Sequence, residues 1–123
     1  MIQARNIDAD IFNFGNYSTS EINTGFTWVD GKTIYKKTIV YSDGITANTE
    51  KEISHGIANF SRCIKVEAVG FGDNGTCLMI PAINSNGNSV GIWTITNTII
   101  KLDSIGILYT APIYITLYYT KTN

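Results

Sequence analysis

From Ile113 to Thr120 the chain alternates without a break: Ile113, Ile115, Leu117 and Tyr119 fall on one parity, and Tyr114, Thr116, Tyr118 and Thr120 on the other. A period of two puts successive side chains on opposite faces of an extended strand. The first set is apolar enough to face a core, so this segment must be a strand with a buried side. The rest of the chain has the same chemistry. Runs rich in Ile, Thr, Tyr and Val are separated by clusters of Gly, Asn and Asp, the residues that supply strands and tight turns respectively. No amphipathic helix of ordinary length appears. Glu50–Gly56 is the nearest candidate, a single turn with Gly56 as its C-cap.

The strands follow in order. Phe26–Val29 and Lys32–Tyr41 flank Asp30-Gly31, a pair suited to a two-residue type I′ turn, and are expected to form an antiparallel hairpin. Neither parity of the second strand (Thr33, Tyr35, Lys37, Ile39 or Ile34, Lys36, Thr38, Val40) is purely apolar. One face of the hairpin is therefore expected to be partly exposed or packed on a neighbour. A loop over Ser42–Asn48 carries a second turn at Asp43-Gly44. Cys63–Phe71 is the next strand, with Ile64, Val66 and Ala68 on one face and Cys63, Lys65, Glu67 and Val69 on the other. After a turn at Gly72–Gly75, Thr76–Ile83 is a strand interrupted by Pro81, which belongs at an edge or strand end. The Asn84–Asn88 turn leads to Val90–Thr96 and Thr98–Leu102. Seven to eight short strands without intervening helices predict an all-β fold, an antiparallel β-sandwich of jelly-roll-like form. Residues 17–123 make up this domain. Residues 1–16, whose apolar positions are irregularly spaced, read as an N-terminal arm or a connection to an upstream shaft.

Composition narrows the function. The 123 residues suit one domain, and only 15% of them are charged, against about 25% in ordinary domains. Mean hydropathy is +0.05. So charge-poor a surface on a small domain suggests burial between subunits. The formal net charge is −1 and Lys36-Lys37 is the one adjacent basic pair, which argues against nucleic-acid binding, since that requires clustered cations. No stretch approaches the roughly 20 apolar residues of a membrane span, and Met1–Asn6 lacks the apolar core of a secretion signal. No membrane insertion and no signal-peptide export are expected.

The chemistry-bearing residues are sparse. His55 is the one histidine, and it sits beside Ser54 in a turn, where the two cannot easily meet as nucleophile and base. A structural or loop role is expected for it. The acids Glu21, Asp30, Asp43, Glu50, Glu52, Glu67, Asp73 and Asp103 are scattered, and Asp30, Asp43 and Asp73 have turn duties. Gly70–Gly75 lacks the lysine and helix of a phosphate loop. Cys63 and Cys77 lack metal-ligand spacing. They read as two small buried residues, with a disulfide between neighbouring strands as the alternative. No catalytic residue, metal or cofactor is expected. Aromatic rings beside Asn and Asp in loops can bind sugars, because apolar sugar faces stack on rings and hydroxyls need fixed polar partners. Trp93, Tyr109, Asn86 and Asn88 are the candidate ligand-binding residues, with Tyr114 nearby in type. The alternative places Trp93 and the strand tyrosines in the core or a subunit interface.

Three segments carry a resemblance. The first is Tyr17-Ser18-Thr19-Ser20-Glu21 with Thr24-Gly25-Phe26-Thr27-Trp28-Val29-Asp30-Gly31-Lys32-Thr33-Ile34-Tyr35-Lys36-Lys37-Thr38. The second is Ser54-His55-Gly56-Ile57-Ala58-Asn59-Phe60, and the third Ile115-Thr116-Leu117-Tyr118-Tyr119-Thr120-Lys121. Together they resemble a module of tail-fibre and receptor-binding proteins of phages and prophages, over residues 17–122. Thr33 stands where that module usually has Pro, and Ser54 where it usually has Asp. The resemblance implies a C-terminal head domain of a homotrimeric virion appendage, assembled in the host cytoplasm beside other tail or baseplate proteins, without enzyme activity. A host-surface glycan or protein is the expected partner. The alternatives are a purely structural trimerisation or capping module, and a bacterial carbohydrate-binding module or small glycan hydrolase.

Overall fold

The computed structural model describes residues 16–122. The expected N-terminal arm, apart from Asn16, lies outside the described residues. Among the described residues nine strands form two antiparallel sheets: β1 (Ile22–Thr27), β2 (Thr33–Tyr41), β3 (Thr49–Ser54), β4 (Phe60–Phe71), β5 (Cys77–Ile80), β6 (Ala82–Ile83), β7 (Ser89–Ile95), β8 (Ile99–Ile105) and β9 (Ile113–Lys121). One sheet has the order β1-β2-β9-β4-β5 and the other β3-β8-β7-β6. The chain is a β-sandwich. Its β3–β8 pair is nested within its β2–β9 pair across the two sheets, which is the wrapping of a jelly roll, and β6, β7 and β8 follow as a meander.

The alternation at the C-terminus explains the centre of the molecule. β9 lies between β2 and β4, and its Ile113, Ile115, Leu117 and Tyr119 have no exposed surface. They face Ile53, Val90, Ile100 and Leu102 of the other sheet in one hydrophobic cluster. Each such side chain, fully buried, contributes roughly 1.5–3 kcal/mol.

Five local expectations are corrected. Glu50–Gly56 is not a helical turn. Its first five residues extend β3, pairing from Thr49↔Ser104 to Ser54↔Ile99. Ladder bonds to β8 and burial of Ile53 outweigh a one-turn helix, which would satisfy few backbone groups. The β1–β2 connection is a three-residue loop, not a type I′ turn. Trp28 N–H donates to Lys32 O (2.8 Å), Gly31 N–H donates to Trp28 O (2.9 Å), and Gly31 alone of the loop has positive φ (+83°). Asp30 contributes its carboxylate, which accepts from Lys32 N–H at 3.0 Å. Thus Asp-Gly serves a turn closed by a left-handed glycine, and β1 begins at Ile22, four residues before the expected start. The third correction concerns β4, whose register shifts between Cys63 and Lys65. Cys63 therefore pairs with inward-facing Tyr119 while Lys65 pairs with outward-facing Tyr118. One extra residue changes the parity, so Cys63 does not share a face with Lys65.

The fourth correction is at Pro81. The segment is not one interrupted strand but two, and the chain passes between the outer edges of the two sheets at the cis Ile80–Pro81 bond. Finally, Cys77 is exposed, and only Cys63 is partly buried. Both are free thiols, paired in register with Phe71 and Tyr119 respectively. Burial pushes the Cys63 thiol pKa up.

Candidate functional site

Two of the segments singled out in the sequence, Ser54–Phe60 and Tyr17–Glu21, are joints of the sandwich. In the stretch after Ser54, His55 is 1% exposed. Its Nδ1 accepts from Ile57 N–H (3.1 Å) and its Nε2 lies 2.9 Å from Thr96 O. An Nδ1 that accepts leaves the proton on Nε2, which donates to Thr96. The ring packs on Phe60 at 4.7 Å. Gly56 and Asn59 have positive φ (+64° and +58°) and turn the chain from β3 into the opposite sheet. The structural role expected of His55 is what this geometry provides.

The Tyr17–Glu21 run is a second joint. Thr38 N–H donates to Ser18 O at 2.9 Å. Glu21 accepts from the fully buried Tyr119 hydroxyl (2.6 Å) and from Lys121 Nζ (2.8 Å). Desolvation would raise the Glu21 pKa, but these two bonds and the charges of Lys121 and Lys37 outweigh it and hold the carboxyl below its ordinary value. Tyr17 and Tyr118 both donate to Glu67 Oε1, at 3.1 and 3.0 Å. The Tyr17 ring also covers the buried Lys36 Nζ at 3.9 Å. Desolvation again opposes ionisation of Glu67, and the two phenols and Lys65 again prevail, lowering its pKa.

Beyond this polar cluster, the outer face of the β1-β2-β9-β4-β5 sheet becomes apolar. Register aligns Val40, Tyr114, Val69 and Met79 in one row across four strands. Val40, Tyr114 and Met79 are 40%, 37% and 63% exposed. Phe71, 54% exposed, tilts against Tyr114 with ring centroids 5.5 Å apart. A shallow cavity of about 640 Å³ runs over this patch as far as Tyr17 and Glu67.

The four residues singled out as ligand-binding candidates do not converge. Asn86 and Asn88 sit in the β6–β7 loop, where the N–H groups of both donate to Asn84 Oδ1 (2.9 and 3.1 Å). Asn88 lies against Gly106, leaving no room there for a Cβ. Tyr109 is in the β8–β9 connection, bonded to Ile45 by two backbone hydrogen bonds of 2.6 and 2.9 Å. Its ring occupies the space that a side chain at Gly70 would need. It lines a separate cleft of about 590 Å³ with Asp73 and Pro112, and its buried hydroxyl has no hydrogen-bond partner among the described residues.

Trp93 is different. It is the extra residue of a bulge, since Ile92 pairs with Leu102 and Thr94 with Lys101. The bulge turns the indole outward, 60% exposed. Two strands of the same sheet fix it there: Trp93 Nε1 donates to Glu50 Oε2 (3.1 Å), and Lys101 Nζ lies 5.2 Å from the ring centroid. Trp93 lines a cleft of about 530 Å³ on the open side of the sandwich, with Arg62 and Lys65 of β4 on its other wall. The cleft exists because β5 pairs only with β4 residues 68–71 and β6 only with β7 residues 89–90, so among the described residues the rest of both edges is bare. Glu50 and Lys101 were not legible as partners of Trp93. They come from two other strands of its sheet, and no spacing in the sequence joins them.

Comparison with protein-family models, curated proteins and solved structures finds no match to this chain.

Proposed function

We propose that this domain is the head of a phage virion appendage, a tail fibre or receptor-binding protein. In this reading it assembles as a homotrimer through the outer face of the five-stranded sheet and contacts a host-surface glycan or protein with its remaining surface. The observation that carries the reading is the row of Val40, Tyr114, Val69 and Met79. It is apolar and continuous, three of its four residues are exposed on a single chain, and contiguous patches of that kind mark contact surfaces. Two facts support it. Charged residues are only 15% of the chain, and the segments that carry the resemblance supply joints of the fold: His55, Glu21 and the Asp30-Gly31 loop. The exposed Trp93 in its polar setting supports the binding half of the reading.

Light scattering of the purified chain at micromolar concentration tests the assembly. A trimer is expected, and Met79→Glu together with Val40→Glu should yield monomers that keep the wild-type far-ultraviolet spectrum. A wild-type monomer would overturn the appendage reading. A glycan array tests the binding: a trimer that binds nothing on it would be a structural capping module instead.

A further inference from the structure

We infer that the groove between the β1–β2 loop and Tyr118 is the docking site of Ile11-Phe12-Asn13-Phe14 of the same chain. This goes beyond the reading above and needs neither assembly nor a host ligand. The groove, of about 460 Å³, lies on the outer face of the five-stranded sheet, with Trp28, Val29, Ile34, Ile64, Lys65 and Tyr118 in its lining. Ile64 is the extra residue of the β4 bulge, and Val29 is 89% exposed. Lys65 is the one charged group among the described residues that line the groove. A concave apolar surface of this kind gains from being covered.

Position, composition and charge name the occupant. Residues 1–15 precede the described part of the chain, and the chain enters that part beside the groove. The hydroxyls of Tyr17 and of the groove's own Tyr118 both donate to Glu67 Oε1, at 3.1 and 3.0 Å. Phe14, three residues before Tyr17, can reach roughly 10 Å from it, about two interstrand spacings. So short a tether gives an effective concentration that a separate partner rarely matches. Ile11, Phe12 and Phe14 supply three large apolar side chains within four residues, directly after Asp8 and Asp10. Those two carboxylates fit a groove whose charged group is a lysine. Lys65 Nζ lies 3.5 Å from Glu67 Oε2 with its side chain 60% exposed, which leaves donors for a second carboxylate. The cavity over the row from Val40 to Met79 suits the segment less well, because Glu67 lines it and no cation does.

The test digests the whole folded chain with chymotrypsin and follows cleavage after Phe12 and Phe14 by mass spectrometry. Cleavage there is expected to be slow, and roughly tenfold faster when Val29→Asp and Ile34→Asp are combined. Lys65→Glu, a single change at an exposed position, should accelerate it as well and serves if the first variant loses its far-ultraviolet spectrum. Val40→Glu with Met79→Glu should leave it slow. Acceleration in that variant would place the segment on the row, or on a sister copy, and overturn the inference. The indole N–H resonances give a second readout. The chain has two tryptophans, so Trp28→Phe assigns both peaks. Phe12→Ser with Phe14→Ser should move the Trp28 peak and leave that of Trp93, on the other sheet, in place. Cleavage as fast in the wild type as in the groove variants, or a Trp28 peak that does not move, would also overturn the inference. Neither result bears on trimer formation or on the glycan array.

Discussion

Removing the Glu21 carboxylate should damage the fold more than removing the hydroxyl it binds. Tyr119 has no exposed surface, and its hydroxyl reaches Glu21 Oε2 at 2.6 Å. In Tyr119→Phe the hydrogen bond is lost, but Glu21 keeps Lys121 and water, because its side chain is 31% exposed. That loss should cost about 1 kcal/mol. Glu21→Ala leaves a buried hydroxyl without a partner, a penalty of about 1–3 kcal/mol. It also removes an ion pair to a partly exposed lysine, which adds less than about 1 kcal/mol. Glu21→Ala should therefore cost about 2–3 kcal/mol, or a fall in Tm of very roughly 10 °C for a chain of this length. The double variant has no orphaned hydroxyl, so its cost should fall short of the sum by about 1–2 kcal/mol, which the double-mutant cycle reads directly. Urea unfolding followed by circular dichroism, at one fixed protein concentration so that assembly contributes equally, measures all four proteins. A coupling energy near zero, or Tyr119→Phe proving the worse single change, would refute the reasoning.

Other outcomes follow from the same geometry. Glu21 and Glu67 both have pKa values lowered from 4.5 by their partners, so their stabilisation is present above pH 4.5 and is lost as pH falls through the lower folded values. The urea midpoint should drop on acidification below that point, and more gently in a Glu21→Gln, Glu67→Gln double variant. Gly44→Ala would place a Cβ onto the Tyr109 carbonyl oxygen at a position with φ of +71°, and should cost about 3 kcal/mol or more by the same unfolding assay. His55→Ala removes two hydrogen bonds and a buried ring and should cost a similar amount, about 3 kcal/mol. Trp93→Ala, at an exposed bulge, should change stability by less than about 1 kcal/mol. A thermal shift assay distinguishes these last two.

The sequence alone determined the class of fold and its central strand. Strict alternation from Ile113 to Thr120 can bury one face only in an extended strand, and turn residues bounded most of the other strands closely. It also marked Trp93, an aromatic ring among turn and strand residues, as a binding candidate. Tertiary structure decided what depends on pairing. Thr49–Ser54 is a strand because β8 lies beside it, and Cys63 points inward because one residue is extra on its strand. Trp93 points outward for a related reason, as the unpaired residue of its own bulge. Asn86, Asn88 and Tyr109 lie apart because register and sheet order set distances between strands. A local sequence specifies which face a residue takes along its own strand, but only the partner strand fixes where that face lies and what stands opposite. For that reason Glu50 and Lys101 became neighbours of Trp93 only once their sheet had formed.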